Sequence, residues 1–170
     1  RDFVNVLLES EFRDRIDVSY SSDLLQSMDV KNRFHKADLV IFSEVSRAEA
    51  DSISMSYGFD RGKVWNVGPK NFGFNNGIFF NKSRDSLYYR QRTNMIPGVI
   101  ERNNELAKQW GNHYIDMVEL FVDANKKVPV FTSEHKFFSQ DCAHLTRSGA
   151  MEISRLVDFK FLPKPVTMKR

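Results

Sequence analysis

Asp141 and His144 stand three residues apart in the run Ser139-Gln140-Asp141-Cys142-Ala143-His144-Leu145-Thr146. A histidine acts as general base toward a hydroxyl when a carboxylate orients its ring and stabilises the imidazolium that forms. Two intervening residues let a single turn bring the Asp141 carboxylate to one ring nitrogen, so that the other faces a nucleophile. That is the chemistry of acyl transfer. Taken alone, an Asp-x-x-His pair in a loop is more often a surface hydrogen bond than a catalytic dyad, and its structural context has to decide. Thr146 or Ser148 is placed to cap a helix that begins near Gly149, which would hold the turn rigid.

The other reactive side chains are less informative. Cys142 lies inside the turn itself, too close to His144 in sequence for good attack geometry, and reads as a small buried hydrophobe. His35, His113 and His135 do not cluster with acidic residues at metal spacing, so no metal site is expected. His113 reads as a surface or edge residue. His135 and Lys136 precede the dyad in a loop, where they are solvated or touch substrate. Gly68, Gly73 and Gly77 lack the spacing of a nucleotide fingerprint and read as loop glycines bordering a cleft. Phe72, Phe74, Phe79 and Phe80 flank them, either as rings for stacking on sugars or as anchors of a long loop.

The elements that must position these residues follow from hydrophobic periodicity. Residues 2–12 read as a helix and 16–20 as a short alternating strand. Ser21-Ser22-Asp23 reads as the cap of a second helix reaching about Phe34. Residues 37–42 (ADLVIF) are a continuous apolar run, the signature of a strand buried on both faces. A helix over 49–57 ends at Gly58, and 63–67 (KVWNV) is another buried strand, stopped by Gly68-Pro69. The Gly- and Asn-rich stretch 70–77 is a loop. Residues 84–110 read as mostly helical, with Pro97 breaking or starting a helix. A fourth strand covers 113–117, a short extended piece 128–131, and a last helix 148–159. Strands that alternate with helices argue for an α/β fold, a three-layer sandwich with a central parallel sheet flanked by helices. Sites in such folds gather at the carboxyl ends of the strands. Residues 1–162 read as one domain and 163–170 as a tail.

Composition sets outer bounds. The 170 residues suffice for one domain with a real core, and 41% hydrophobic with 28% charged residues is ordinary for a globular protein. Net charge is +3 and the pI about 9.0, but the basic residues are spread without the dense run of a nucleic-acid arm. The single cysteine excludes an internal disulfide. No window approaches the ~20 apolar residues of a membrane span. The fifteen phenylalanines fill a core or line a groove. The helix-like start at Arg1 suggests that more chain lies upstream.

The segment 139–150, ending in His144-Leu145-Thr146-Arg147-Ser148-Gly149-Ala150, resembles the last conserved block of SGNH-type hydrolases, where an Asp and a His precede the C-terminal helix. The HLT-x-x-GA ending, together with Val67-Gly68-Pro69-Lys70-Asn71-Phe72-Gly73, looks like the SGNH domains attached to membrane acyltransferases that O-acetylate bacterial surface polysaccharides. The resemblance implies Asp141 and His144 as dyad and a carbohydrate substrate. It further implies a membrane acyltransferase domain or protein as partner, and an acetyl ester or acetyl-CoA-derived acetyl as donor. It calls for no bound cofactor. It leaves the compartment open between the periplasm or cell envelope and the cytoplasm of a bacterium. The family's Gly-Asp-Ser nucleophile motif is absent from these residues, so the serine is expected upstream of Arg1. The alternative is a non-catalytic relative that binds a glycan or a protein. Oxyanion donors are not clear from the sequence: Asn71 is the first candidate, against an ordinary turn residue, with Ser43 and Ser22 behind it.

Overall fold

The computed structural model describes residues 2–21, 28–73 and 87–162. Its strands are β1 (Val40–Ser43), β2 (Val64–Val67), β3 (Arg92–Asn94), β4 (Tyr114–Ile115) and β5 (Lys127–Pro129). Its helices are α1 (Asp2–Leu8), α2 (Met28–Lys36), α3 (Arg47–Tyr57), α4 (Val99–Trp110) and α5 (Arg147–Ser154). Ser22, the proposed cap at Ser21-Ser22-Asp23, the loop from Phe74 through Gly77 to Phe80, and the tail from Pro163 lie wholly or partly outside the described residues.

The two apolar runs become strands because both of their faces find a core. β1, β2 and β4 form a parallel sheet with β2 in the middle, in the registers Val40↔Val64, Phe42↔Asn66 and Asn66↔Tyr114. Side chains alternate across a strand, and here the alternation sorts residues by parity. Val40, Phe42, Val64 and Tyr114 face one apolar cluster, which Val30 of α2, Ala50 and Tyr57 of α3, and Leu106 and Trp110 of α4 complete. Ile41, Trp65, Val67 and Ile115 face the other, with Phe3, Val6 and Leu7 of α1 and Ala150 and Ile153 of α5. Val6, Leu106 and Ile153 are fully buried, each worth about 1.5–3 kcal/mol relative to exposure. The structure is therefore α/β, a parallel sheet flanked by helices. Among the described residues no helix is long and apolar enough to cross a membrane.

Local chemistry sets the helix ends. Ser46 caps α3 by accepting from the Glu49 N–H at 3.2 Å, and Gly58 ends it in the left-handed region at φ 70°. The α2 terminus is closed differently. Lys63 Nζ, from the residue before β2, donates to the carbonyls of Phe34 and Ala37 at 2.8 and 2.7 Å and to that of His35 at 3.4 Å. A cation thus satisfies carbonyls that the last helical turn leaves open.

Three expectations fail, each for a physical reason. Residues 16–20 are not a strand. Ile16 and Val18 do pack on the cluster that holds α1 and α5, but no described neighbour pairs with this backbone, and Tyr20 is exposed. The segment read as helix from residue 84 holds, in its described part, a single turn at Tyr88–Arg90 and then β3. β3 pairs antiparallel with β5, placing Thr93 opposite the fully buried Val128, and tertiary pairing outweighs the helical reading. Helix resumes only past Pro97-Gly98. The final helix stops at Ser154, short of residue 159, so that Val157 and Phe161 can turn back into the core.

Removing the Lys63 cation leaves several carbonyls of a half-buried helix end without a donor. Lys63→Met should lower the unfolding free energy by about 1–3 kcal/mol, the usual range for hydrogen bonds to a charged group. Urea unfolding measures it, and an unchanged midpoint would show that water replaces the ammonium at no cost.

Candidate active site

An antiparallel bridge between Ser139 and Leu145, with the Thr146 N–H donating to the Phe138 carbonyl at 2.9 Å, closes the loop that carries Asp141 and His144. The Asp141 carboxylate organises the interior of that loop. Its Oδ1 accepts from the backbone N–H of Ala143 at 3.0 Å and of His144 at 2.7 Å, and from the Ser139 hydroxyl at 3.3 Å. Its Oδ2 lies 2.6 Å from His144 Nδ1. An ionised carboxylate only accepts, so Nδ1 carries the proton. In the neutral ring Nε2 then holds the free lone pair, the arrangement a general base needs. The His144 ring bond, followed by the two backbone N–H donors, holds the Asp141 carboxyl far below the usual carboxylate range. Both side chains are more than half exposed, at 65% for His144 and 55% for Asp141.

The loop is bracketed on both sides. On one, Phe72 N–H donates to the Cys142 carbonyl at 2.9 Å, and Asn71 Nδ2 approaches the same oxygen at 3.5 Å. Asn71 is buried, and its Oδ1 accepts from Gly73 N–H and Ile96 N–H, each at 3.1 Å. Gly73 has φ 118°, and a Cβ there would fall 2.0 Å from Thr93 Cγ2, so only glycine lets this loop lie on β3. On the other side Asp2, 5% exposed in the first turn of α1, accepts from Leu145 N–H through Oδ1 at 3.1 Å. Its Oδ2 pairs with Lys70 Nζ at 2.8 Å. Thr146 is the N-cap of α5: its hydroxyl accepts from Gly149 N–H at 3.0 Å and donates to the Phe137 carbonyl.

Of the sequence candidates, the structure brings together Asp141, His144 and Asn71. Asn71 does so from the loop after β2, and its amide is engaged with backbone. Ser43 is the exposed last residue of β1, and among the described residues no hydrogen bond joins it to the dyad loop. Cys142 is buried in the left-handed region at φ 66°. Burial, and then the Asp141 charge, push its thiol above the ordinary value, which keeps it protonated rather than nucleophilic. His113 is half-buried, bonded through Nδ1 to the Val64 carbonyl at 2.9 Å and stacked on Trp65. His135 stacks on Tyr89 with ring centroids 4.0 Å apart. Phe72 is an anchor rather than a sugar platform, buried against Phe121 and Phe138. Asp2 and Lys70 were not found from sequence. Their partners are remote along the chain, and an acid at a helix start is ordinary. Among the described residues no group of three His, Cys, Asp or Glu side chains is arranged to hold a metal.

No family model matches the chain, and neither a curated protein nor a solved structure does so.

Two outcomes test this geometry. The Asp141 carboxyl should titrate well below the ordinary value of about 3.9, as read by carboxyl ¹³C shifts in an acid titration. Because the folded value is the lower one, its contribution to stability is present above that ordinary value and lost as pH falls below it. A carboxyl that titrates normally would mean the ring bond is not populated in solution. Separately, a Cβ on Gly149 would lie 2.4 Å from the Phe138 carbonyl oxygen. Gly149→Ala, which on an open helix would stabilise by up to about 1 kcal/mol, should here destabilise by about 1–3 kcal/mol. Thermal unfolding gives the sign.

Proposed function

We propose that this chain carries the Asp–His half of a serine-hydrolase site in an SGNH-like three-layer domain. Its reaction is acyl transfer on carbohydrate, as an O-acetyltransferase or acetylesterase of a bacterial surface polysaccharide. The observation that carries the reading is the 2.6 Å contact between Asp141 Oδ2 and His144 Nδ1, with Nε2 left for a hydroxyl. The start of α1 bonds to the residue after His144. A serine supplied from just before α1 would therefore arrive beside the dyad.

In this mechanism the serine Oγ attacks the acyl carbonyl while His144 Nε2 takes its proton. The tetrahedral adduct collapses, and the imidazolium returns the proton to the departing alcohol or thiol. A sugar hydroxyl or water then attacks the acyl-enzyme, His144 again accepts the proton, and the serine leaves with it. Asp141 orients the ring and stabilises its charged form throughout. Asn71 is the first candidate donor to the oxyanion, with Ser43 and Ser22 as weaker ones. The donor is an acetyl ester or acetyl-CoA-derived acetyl, and a membrane acyltransferase domain or protein is the fitting partner. The exposure of the dyad suits an acceptor as large as a polysaccharide. One observation favours the rival reading, a non-catalytic glycan- or protein-binding module: the Asn71 amide is engaged with backbone groups.

The test uses the full-length protein. With p-nitrophenyl acetate, His144→Ala should lower kcat by about 100- to 10,000-fold, the usual span for a lost general base. A fluorophosphonate should label one serine ahead of α1. Hydrolysis indifferent to His144→Ala, or a full chain without such a serine, leaves the binding module as the better reading.

A further inference from the structure

We propose that Asp2 is a positioning residue for the dyad, a role that rests on the reading of Asp141 and His144 as a working pair. The bonds within the loop fix the two side chains relative to each other. Asp141 and His144 are three residues apart, and Asp141 is held by its own neighbours. None of these bonds relates the pair to the rest of the protein. The bond that does so beside His144 is the one from Leu145 N–H to Asp2 Oδ1, at 3.1 Å across 143 residues of sequence.

The chemistry of Asp2 fits this task better than a structural one. A carboxylate only 5% exposed costs several kcal/mol to desolvate and persists only when its oxygens are satisfied. Both are: Leu145 N–H takes Oδ1, and Lys70 Nζ takes Oδ2 at 2.8 Å. Lys70 immediately precedes Asn71, whose amide and whose neighbour Phe72 hold the Cys142 carbonyl on the far side of the same loop. The Asp2–Lys70 pair therefore ties the start of α1 to both brackets of the dyad loop. His144 lies between the two anchored residues, Cys142 and Leu145. The Asp2–Leu145 bond ties the residue next to His144 to the first turn of α1. A misplacement of about 1 Å at a reacting group can cost about 100-fold in rate.

The test combines two readouts on the full-length protein with ¹⁵N-labelled histidine. The first is the His144 tautomer, read from its ring ¹⁵N shifts at a pH where the ring is neutral. The wild-type ring should carry its proton on Nδ1. Asp2→Ala should leave the ring proton on Nδ1, because Asp141 still accepts it, yet lower kcat for p-nitrophenyl acetate at least tenfold, with KM little changed. Asp2→Asn can still accept from Leu145 N–H through its amide oxygen and should restore most of kcat. A folded Asp2→Ala protein with wild-type kcat overturns the proposal. So does a loss in Asp2→Ala that Asp2→Asn does not recover at all. Should Asp2→Ala fail to fold, Lys70→Met removes only the cation, from a side chain 27% exposed. It should leave the ¹⁵N shifts unchanged and lower kcat at least threefold, and an unchanged kcat overturns the proposal. The readouts separate the two readings. If His144→Ala leaves ester hydrolysis intact, the acyl-transfer reading fails; if His144→Ala abolishes hydrolysis and Asp2→Ala does not lower it, the positioning role alone fails.

Discussion

One carboxylate organises the candidate site. Asp141 accepts hydrogen bonds from two backbone N–H groups, from a serine hydroxyl and from a ring nitrogen, and so closes its own turn while it orients His144. Three of these donors meet Oδ1 and the ring nitrogen meets Oδ2, so one oxygen closes the turn and the other orients the ring. The cost of bending the chain this tightly appears at Cys142, held at φ 66°, a conformation disfavoured for a residue with a β-carbon. The bracket around the turn, from Phe72 and Asn71 on one side and Asp2 on the other, supplies what the local bonds do not. It places the turn in the frame of the protein.

The sheet relates to the site by parity. Odd positions of β1, β2 and β4 pack against α1 and α5, the two helices that flank the dyad loop, and even positions pack against α2, α3 and α4. The loop after β2 leaves the middle strand of the sheet and runs directly to the dyad, with Asn71 and Phe72 as its contact residues. This puts the dyad beyond a strand's carboxyl end, where α/β folds place their ligands. It also explains the burial of Phe72. A loop that must hold its neighbour's carbonyl within hydrogen-bond distance needs an apolar anchor of its own.

Legibility in the sequence followed the range of the interactions. β1 and β2 were readable because a strand buried on both faces has to be apolar throughout. The Asp141–His144 pair was readable because its bond spans three residues, and the Thr146 cap for the same reason. β3, Arg-Thr-Asn, has no strand-like composition and exists through its pairing with β5. Residues 16–20 have the composition without a described partner. Asp2 and Lys70 were invisible because their significance lies in partners 143 and 68 positions away, and nothing in a single sequence encodes that choice. Asn71 stood between the two cases, noticed for its place after a strand but not for the carbonyl it meets.

The long reach of the Asp2–Leu145 bond also fixes when the site can exist during folding. The dyad itself is a local turn, and local turns close in well under a microsecond. Its placement requires the α1 and α5 ends of the described chain to have met, a contact with a large loop-closure entropy. On a ribosome the first helix emerges long before the last. The pair of side chains therefore forms as soon as its own residues are free, yet gains its register against α1 only when synthesis of α5 is complete. Placement of the pair is in this sense a late step for the described chain, because a nascent chain forms the turn before it holds the frame that fixes it.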